Sequence, residues 1–274
     1  MPTLLIFGLG YLGAAVARQA EAAGWTVSGT SRDTARGLID PGDAAALADA
    51  LTQADALLIT AAPTAEGCPG HAVLAPLLGQ NRPDWIGYVS STGVYGDRSG
   101  GWVFEDSALN AASIAGARRV ATERLWLDEG AHLFRLPAIY GPGRSTLERL
   151  RDGAARRVHK PGQVFNRIHV EDAASGILAA LSRPHPGRAY NLADDDPSAM
   201  ETVILEGCAR LGIEPPPRTD LDDPSVSEAM RGYYLDSKRV SNARAKAELG
   251  WRPQYRTWRE GLEALLATAL PKGG

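Results

Sequence analysis

A short apolar run, Thr3–Phe7, leads straight into Gly8-Leu9-Gly10-Tyr11-Leu12-Gly13, and an alanine-rich stretch without proline, Tyr11–Ala23, follows at once. Few folds accept that succession. A buried strand, a turn with three spaced glycines and a helix form the opening unit of a dinucleotide-binding βαβ fold. The first glycine permits the tight turn, the second lets backbone approach a pyrophosphate, and the third lets helix and strand pack closely. The helix N-terminus adds unpaired N–H groups and the positive end of the helix dipole. Gly8, Gly10, Tyr11, Leu12 and Gly13 are therefore expected to hold the pyrophosphate of a nicotinamide dinucleotide.

The end of the second strand bears on which dinucleotide, because a carboxylate there hydrogen-bonds the free ribose 2′-hydroxyl of NAD. The strand Thr26–Thr30 runs on into Ser31-Arg32, and no acid precedes Asp33. A hydroxyl followed by a guanidinium suits a 2′-phosphate, so Ser31 and Arg32 point to NADP over NAD. The alternative is a solvated Arg32 with Asp33 turned inward as the acid. Ala61, Ala62 and Pro63 after the third strand, and Pro137 after the fifth, complete the expected cofactor-binding set.

Further strands are expected at Ala56–Thr60, Trp85–Ser90 and His132–Leu136, with helices at Asp43–Gln53 and Leu109–Glu129, a β/α alternation that implies a parallel sheet with crossover helices. Beyond Tyr140 the pattern is broken by Pro161-Gly162, Pro184-His185-Pro186-Gly187 and Pro215-Pro216-Pro217. Strands near Gln163–Ile168 and Ala189–Leu192 flank a helix at Glu171–Leu181, and helices are expected near Ala199–Leu211, Val240–Leu249 and Trp258–Leu266. The fold class is thus α/β, a Rossmann-type doubly wound parallel sheet with a smaller C-terminal substrate-covering region. Residues 1–140 form the NAD(P)-binding part with 163–195 adding to its sheet, and 141–162 with 196–274 form the smaller region.

Bulk properties exclude several alternatives. A net charge of -3 over 274 residues gives no basis for nucleic-acid binding. Cys68 and Cys208 lack metal or CxxC spacing and read as free thiols of a reducing compartment. The apolar stretch Ala54–Ala62 contains Asp55 and is too short to cross a bilayer. A soluble cytoplasmic protein, monomer or homodimer, with a small-molecule partner and no metal is expected.

The segment Tyr88-Val89-Ser90-Ser91-Thr92-Gly93-Val94-Tyr95-Gly96 resembles a strand end of the extended short-chain dehydrogenase/reductases, the group containing NDP-sugar epimerases and dehydratases. Arg135-Leu136-Pro137-Ala138-Ile139-Tyr140-Gly141-Pro142-Gly143, Arg167-Ile168-His169-Val170-Glu171-Asp172 and Glu248-Leu249-Gly250-Trp251-Arg252-Pro253 resemble later family segments, in the family's order. The glycine turn departs from the usual GxxGxxG spacing, which places the chain nearer the branch called atypical. The resemblance implies an NAD(P)-dependent oxidoreductase or epimerase, with Ser91 orienting the substrate oxygen and Thr92 as the alternative hydroxyl.

The family frame Ser-x-Tyr-x-x-x-Lys, with a glutamate four residues on, falls on Ser113, Ala115, Arg119 and Glu123. The proton-transferring tyrosine is thus Ala115, and the lysine is Arg119. Arginine retains a positive charge and donors for ribose hydroxyls, but alanine moves no proton. Tyr95 and Tyr140 are the phenols nearest the expected site. Tyr95 reads as a packed side chain with its hydroxyl satisfied, whereas Tyr140 reads equally as packed or as a proton donor. If neither acts, the chain is a redox-inert NADP-binding sensor or regulator.

Between residues 144 and 167 the chain carries Arg144, Arg149, Arg151, Arg156, Arg157, Lys160 and Arg167 against Glu148 and Asp152. Part of this cluster reads as a solvated helix face. Arg144 and Arg167 are expected inward, toward an anionic or sugar-like substrate such as a nucleotide sugar. His169 reads as a structural cap beside Asp172.

Overall fold

Apolar runs that carry β-branched or leucine residues on both faces become strands covered on both sides, and the alanine-rich intervals become the covering helices. A computed structural model describes residues 1–33, 37–79 and 81–269. The first half consists of β1 (Thr3–Phe7), α1 (Tyr11–Ala22), β2 (Thr26–Gly29), α2 (Ala44–Thr52), β3 (Ala56–Ile59), α3 (Pro69–Leu78), β4 (Trp85–Ser91), β5 (Trp102–Val103), α4 (Ile114–Asp128) and β6 (His132–Leu136). The second comprises β7 (Ala138–Tyr140), α5 (Thr146–Arg151), β8 (Arg157–His159), β9 (Arg167–His169), α6 (Val170–Ser182), β10 (Ala189–Asn191), α7 (Met200–Leu211), β11 (Arg218–Asp220), α8 (Glu228–Tyr233), β12 (Arg239–Val240), α9 (Ala243–Glu248) and α10 (Trp258–Ala269).

Six strands form a parallel sheet in the order β10-β6-β4-β3-β1-β2, with Leu4 opposite both Val27 and Ala56, and Val89 opposite Phe134. Alternate residues feed two cores. Leu4, Ile6, Leu58, Val89 and Phe134 pack on Ala15 and Val16 of α1 and Ala174 and Ile177 of α6. Leu5, Phe7, Leu57 and Tyr88 pack on Leu47 and Leu51 of α2, Leu74 of α3 and Trp126 of α4. After β2 the chain returns across β1 to β3, so the carboxyl ends of β1 and β3 flank a topological switch point, where ligands bind in open α/β sheets.

Three local differences from the sequence reading have physical causes. Helix α3 is additional, because Pro69 stands at its first turn, where no N–H is needed. Helix α4 begins at Ile114 rather than Leu109, because the Ser113 hydroxyl accepts the Gly116 N–H at 3.0 Å and caps it there. The strand expected at Gln163–Ile168 is reduced to β9, which pairs with β7 outside the main sheet, so that within 163–195 only β10 joins that sheet. Pro137 cannot donate to a ladder and separates β6 from β7, sending β7 toward β9. Two further parallel pairs, β5 with β12 and β8 with β11, lie outside the main sheet. No helix among the described residues is long and apolar enough to cross a membrane.

Candidate functional site

The glycine turn leaves β1 under tight backbone control. Gly8 donates its N–H to Thr30 Oγ1 at 2.9 Å, Leu9 N–H donates to the Thr30 carbonyl at 2.8 Å, and the Thr60 hydroxyl donates to the Gly8 carbonyl. Gly8 has φ +101°, and a Cβ on it would come within 2.9 Å of Ala61 N. A Cβ on Gly13 would approach the Gly8 carbonyl oxygen to 2.9 Å, so that glycine sets the spacing of helix and strand. Gly10 differs, since a Cβ there meets nothing within 4 Å and points into open space. It stands at the N-cap of α1, which no side chain among the described residues caps, leaving the first-turn amides for an incoming anion.

That open space is a cleft of about 830 Å³, and Gly8, Gly10, Tyr11, Leu12, Gly13, Ser31, Arg32, Ala61, Ala62, Pro63 and Pro137 all line it. Ser91, Arg119 and Arg144 line it too, whereas Asp33 does not and no carboxylate among the described residues does. The sequence reading missed Thr30 and Thr60. Their hydroxyls lock the turn, yet each is a lone threonine at a strand end and carries no motif.

At the end of β4, the Ser91 hydroxyl accepts the Gly93 N–H at 3.1 Å and keeps its own proton to donate. Arg119 donates Nη1 to the Val89 carbonyl at 2.5 Å and to the Tyr88 hydroxyl at 3.1 Å. Burial pushes the Tyr88 phenol up to about 12, against the opposing charge of Arg119. Beneath them, buried Glu123 accepts from Ser90 Oγ at 2.6 Å and from Arg135 Nη2 at 2.8 Å. Arg135 also donates to the Tyr95 hydroxyl at 2.9 Å, and Tyr95 donates to Asn191 Oδ1 at 2.7 Å. Tyr95 is therefore a satisfied core side chain. Ala115 is exposed on the first turn of α4, four residues before Arg119.

A second chamber of about 750 Å³ adjoins the cleft and shares Ala138, Ile139 and Arg144 with it. Arg144 also stacks over the Tyr11 ring at 5.7 Å, and the Tyr11 hydroxyl donates to the Pro142 carbonyl at 3.1 Å. Arg167 lines the chamber from a buried position, its Nη1 held 3.3 Å from both the Phe165 and Ser198 carbonyls.

Two expected roles are corrected here. Thr92 is buried in the turn Thr92–Tyr95 and lines neither cavity, so the backbone wraps it away from a substrate. Tyr140 lines the chamber with its ring, but its hydroxyl is buried against α10, where a Cβ on Gly261 would lie 1.9 Å from the oxygen. That hydroxyl has no hydrogen-bond partner among the described residues. Burial, reinforced by the charges of Asp194 and Asp172, holds it far above the usual phenol range, so the hydroxyl keeps its proton and points away from the cleft. His169 caps α6, with Nδ1 accepting the Glu171 N–H at 3.3 Å, and burial keeps its ring below the usual imidazole range. Asp194, behind the chamber, is pushed up to about 8 by burial against the opposing charge of Arg167.

A parallel sheet with a glycine turn at its switch point, and two joined compartments above it, define a Rossmann-type protein with a composite site. No protein-family model matches the sequence. The chain is 30% identical to protein YeeZ of Escherichia coli K12, over 93% of this chain and 97% of that one. Among solved structures, it is 38% identical to a conserved protein of unknown function from Silicibacter pomeroyi, with a TM-score of 0.88 over 98% of this chain and 99% of that one. It is 26% identical to a protein provisionally assigned as an NAD-dependent epimerase/dehydratase from Methylobacillus flagellatus, with a TM-score of 0.77 over 97% and 98%. The chain belongs to the same family as YeeZ, within the extended short-chain dehydrogenase/reductase superfamily of epimerase/dehydratase-like proteins.

Proposed function

We propose that this protein uses NADP(H) to reduce a small anionic carbonyl compound seated in the chamber beside the cleft. One observation carries the reading: Arg32, Arg119 and Arg144 line the cleft around the glycine turn, and no carboxylate among the described residues does. The turn from Gly8 to Gly13 offers its amides to the pyrophosphate, and the vacant space over Gly10 fits that close approach. Ser31 and Arg32 take the adenosine ribose with its 2′-phosphate, while Ala61, Ala62, Pro63 and Pro137 form the cleft's flanks. The cofactor, when bound, supplies the hydride.

Ser91 donates to and orients the substrate oxygen, and Arg119 places positive charge beside it. Epimerisation and dehydration both require an acid–base group at the reacting carbon. Among the described residues the only phenol lining the cleft is Tyr11, whose hydroxyl is donated to Pro142 and whose pKa is raised by burial. Reduction with a proton from water held by Ser91 and Arg119 is the chemistry that remains. Ala115 favours a second reading, a redox-inert NADP-binding sensor.

Two measurements test this. Titration should show NADPH bound about tenfold or more tighter than NADH, the worth of one or two charge-assisted hydrogen bonds, with Arg32→Ala removing the difference. Equal affinities in the wild-type protein overturn the NADP assignment. NADPH oxidation over a panel of keto-acids should be slow, and Ala115→Tyr with Arg119→Lys should raise it about a hundredfold, the low end of what a positioned acid contributes. Ser91→Ala should lower it. A wild type and a restored variant that are both inert, with cofactor affinity intact, establish the sensor instead.

A further inference from the structure

The second chamber carries information about its occupant beyond simple positive charge. Its inner wall is built from Phe165, Met200, Val203, Ile204, Trp258 and Leu262. The polar atoms among its lining residues are largely committed inside the protein. Trp258 Nε1 donates to Ser198 Oγ at 2.8 Å, and the Tyr234 hydroxyl donates to the Val158 carbonyl at 3.1 Å. Glu148 is consumed by the capping box with Ser145 and by the Gly143 N–H at 2.9 Å. The guanidinium of Arg167 is already donated to two carbonyls, and the Tyr140 hydroxyl faces Gly261.

Such a wall cannot answer the hydroxyls and diphosphate of a nucleotide sugar, and a buried polar group without a partner is costly. It rewards apolar surface instead. The charged side chains left at the rim are Arg144, Arg149, Arg156 and Asp152, three cations against one carboxylate. Arg149 and Arg156 are both exposed lining residues; Arg149 makes one long bond, 3.4 Å, to the Ala154 carbonyl, and Arg156 has no protein partner among the described residues.

Resting on the reductase reading, we infer that the substrate is a compact aromatic or branched aliphatic acid. Its apolar body lies on Phe165, Met200, Ile204 and Trp258, its single anionic group is held by Arg149 and Arg156, and its carbonyl faces the passage at Ala138 and Ile139.

Calorimetric titration of the NADP⁺-loaded protein tests this without requiring turnover. The probes are phenylglyoxylate, its methyl ester, pyruvate and UDP-glucose. Phenylglyoxylate should bind about tenfold or more tighter than each of the others, since the ester lacks the charge and pyruvate lacks the apolar body. Arg149→Gln with Arg156→Gln, both at exposed positions that leave the core intact, should erase the advantage over the ester and leave ester binding unchanged. Phenyl phosphate shows whether the arginines prefer phosphate to carboxylate, and binding of either acid supports the inference. Tighter binding of UDP-glucose, equal binding of acid and ester, or no binding of any probe by a protein that binds NADPH overturns it with the cofactor assignment standing. Failure to bind NADPH at all is a separate result and overturns the reductase reading.

Discussion

Gly10→Val is expected to fold as the wild-type chain does and to bind NADPH at least about a hundredfold more weakly, the loss of two backbone hydrogen bonds to a charged group at about 1.5–3 kcal/mol each. The separation of the two effects comes from geometry. Gly10 has φ -89° and ψ -155°, extended backbone that valine adopts readily, and its Cβ direction is open. The added side chain therefore meets no protein atom at its first carbon and fills the space of the pyrophosphate. Gly8→Val is the informative contrast, because its φ of +101° and its contact with Ala61 predict loss of the fold itself. Thermal melts of both variants beside a fluorescence titration with NADPH give the result. A folded Gly10→Val protein with undiminished affinity would show that the turn serves packing alone.

Glu123→Ala should destabilise the protein by about 3–5 kcal/mol, the cost of leaving a buried charge without its partner. The side chains of Arg135 and Glu123 are 6% and 1% exposed, so neither charge is recovered by solvent. Arg135 would keep Tyr95 and the Glu105 carbonyl as acceptors but lose the one carboxylate within hydrogen-bond distance among the described residues. Replacing both partners by Glu123→Leu and Arg135→Met should recover much of the loss, because an apolar pair carries no desolvation penalty. Ser90→Ala removes one neutral donor and should cost about 1 kcal/mol. Urea unfolding of the three variants checks the order. A Glu123→Ala loss below about 1 kcal/mol, the size of an exposed pair, contradicts the account.

Much of this architecture was legible because buried parallel strands read as unbroken apolar runs. β1 and β6 have the bounds that their sequences imply, and β2, β3 and β4 differ from the expected strands by one residue. The glycine turn was readable down to the constraints on Gly8 and Gly13, since these are local. α3 escaped because proline is weighed as a breaker until its position in the first turn is known. β7 and β8 escaped because each is three residues long and pairs with a strand remote in sequence. The same holds for the chamber. Phe165, Met200 and Trp258 come from a loop and two helices, and no shared spacing announces that they meet. Tyr140 shows the limit most sharply. Its nearness to the expected site was readable, but the direction of its hydroxyl depends on a missing side chain at Gly261 in the last helix.

Arg144 belongs to both compartments at once, stacked on the tyrosine of the glycine turn while lining the chamber next door. An anion that engages this guanidinium from one side leaves less positive potential for the other, whereas one that merely orders its stacked conformation makes the second arrival easier. Either way the two occupancies are thermodynamically linked. Whatever factor a ligand in the chamber imposes on affinity in the cleft, a ligand in the cleft must impose the same factor in return. The shared arginine thus gives a ligand in either compartment a route to change the affinity of the other.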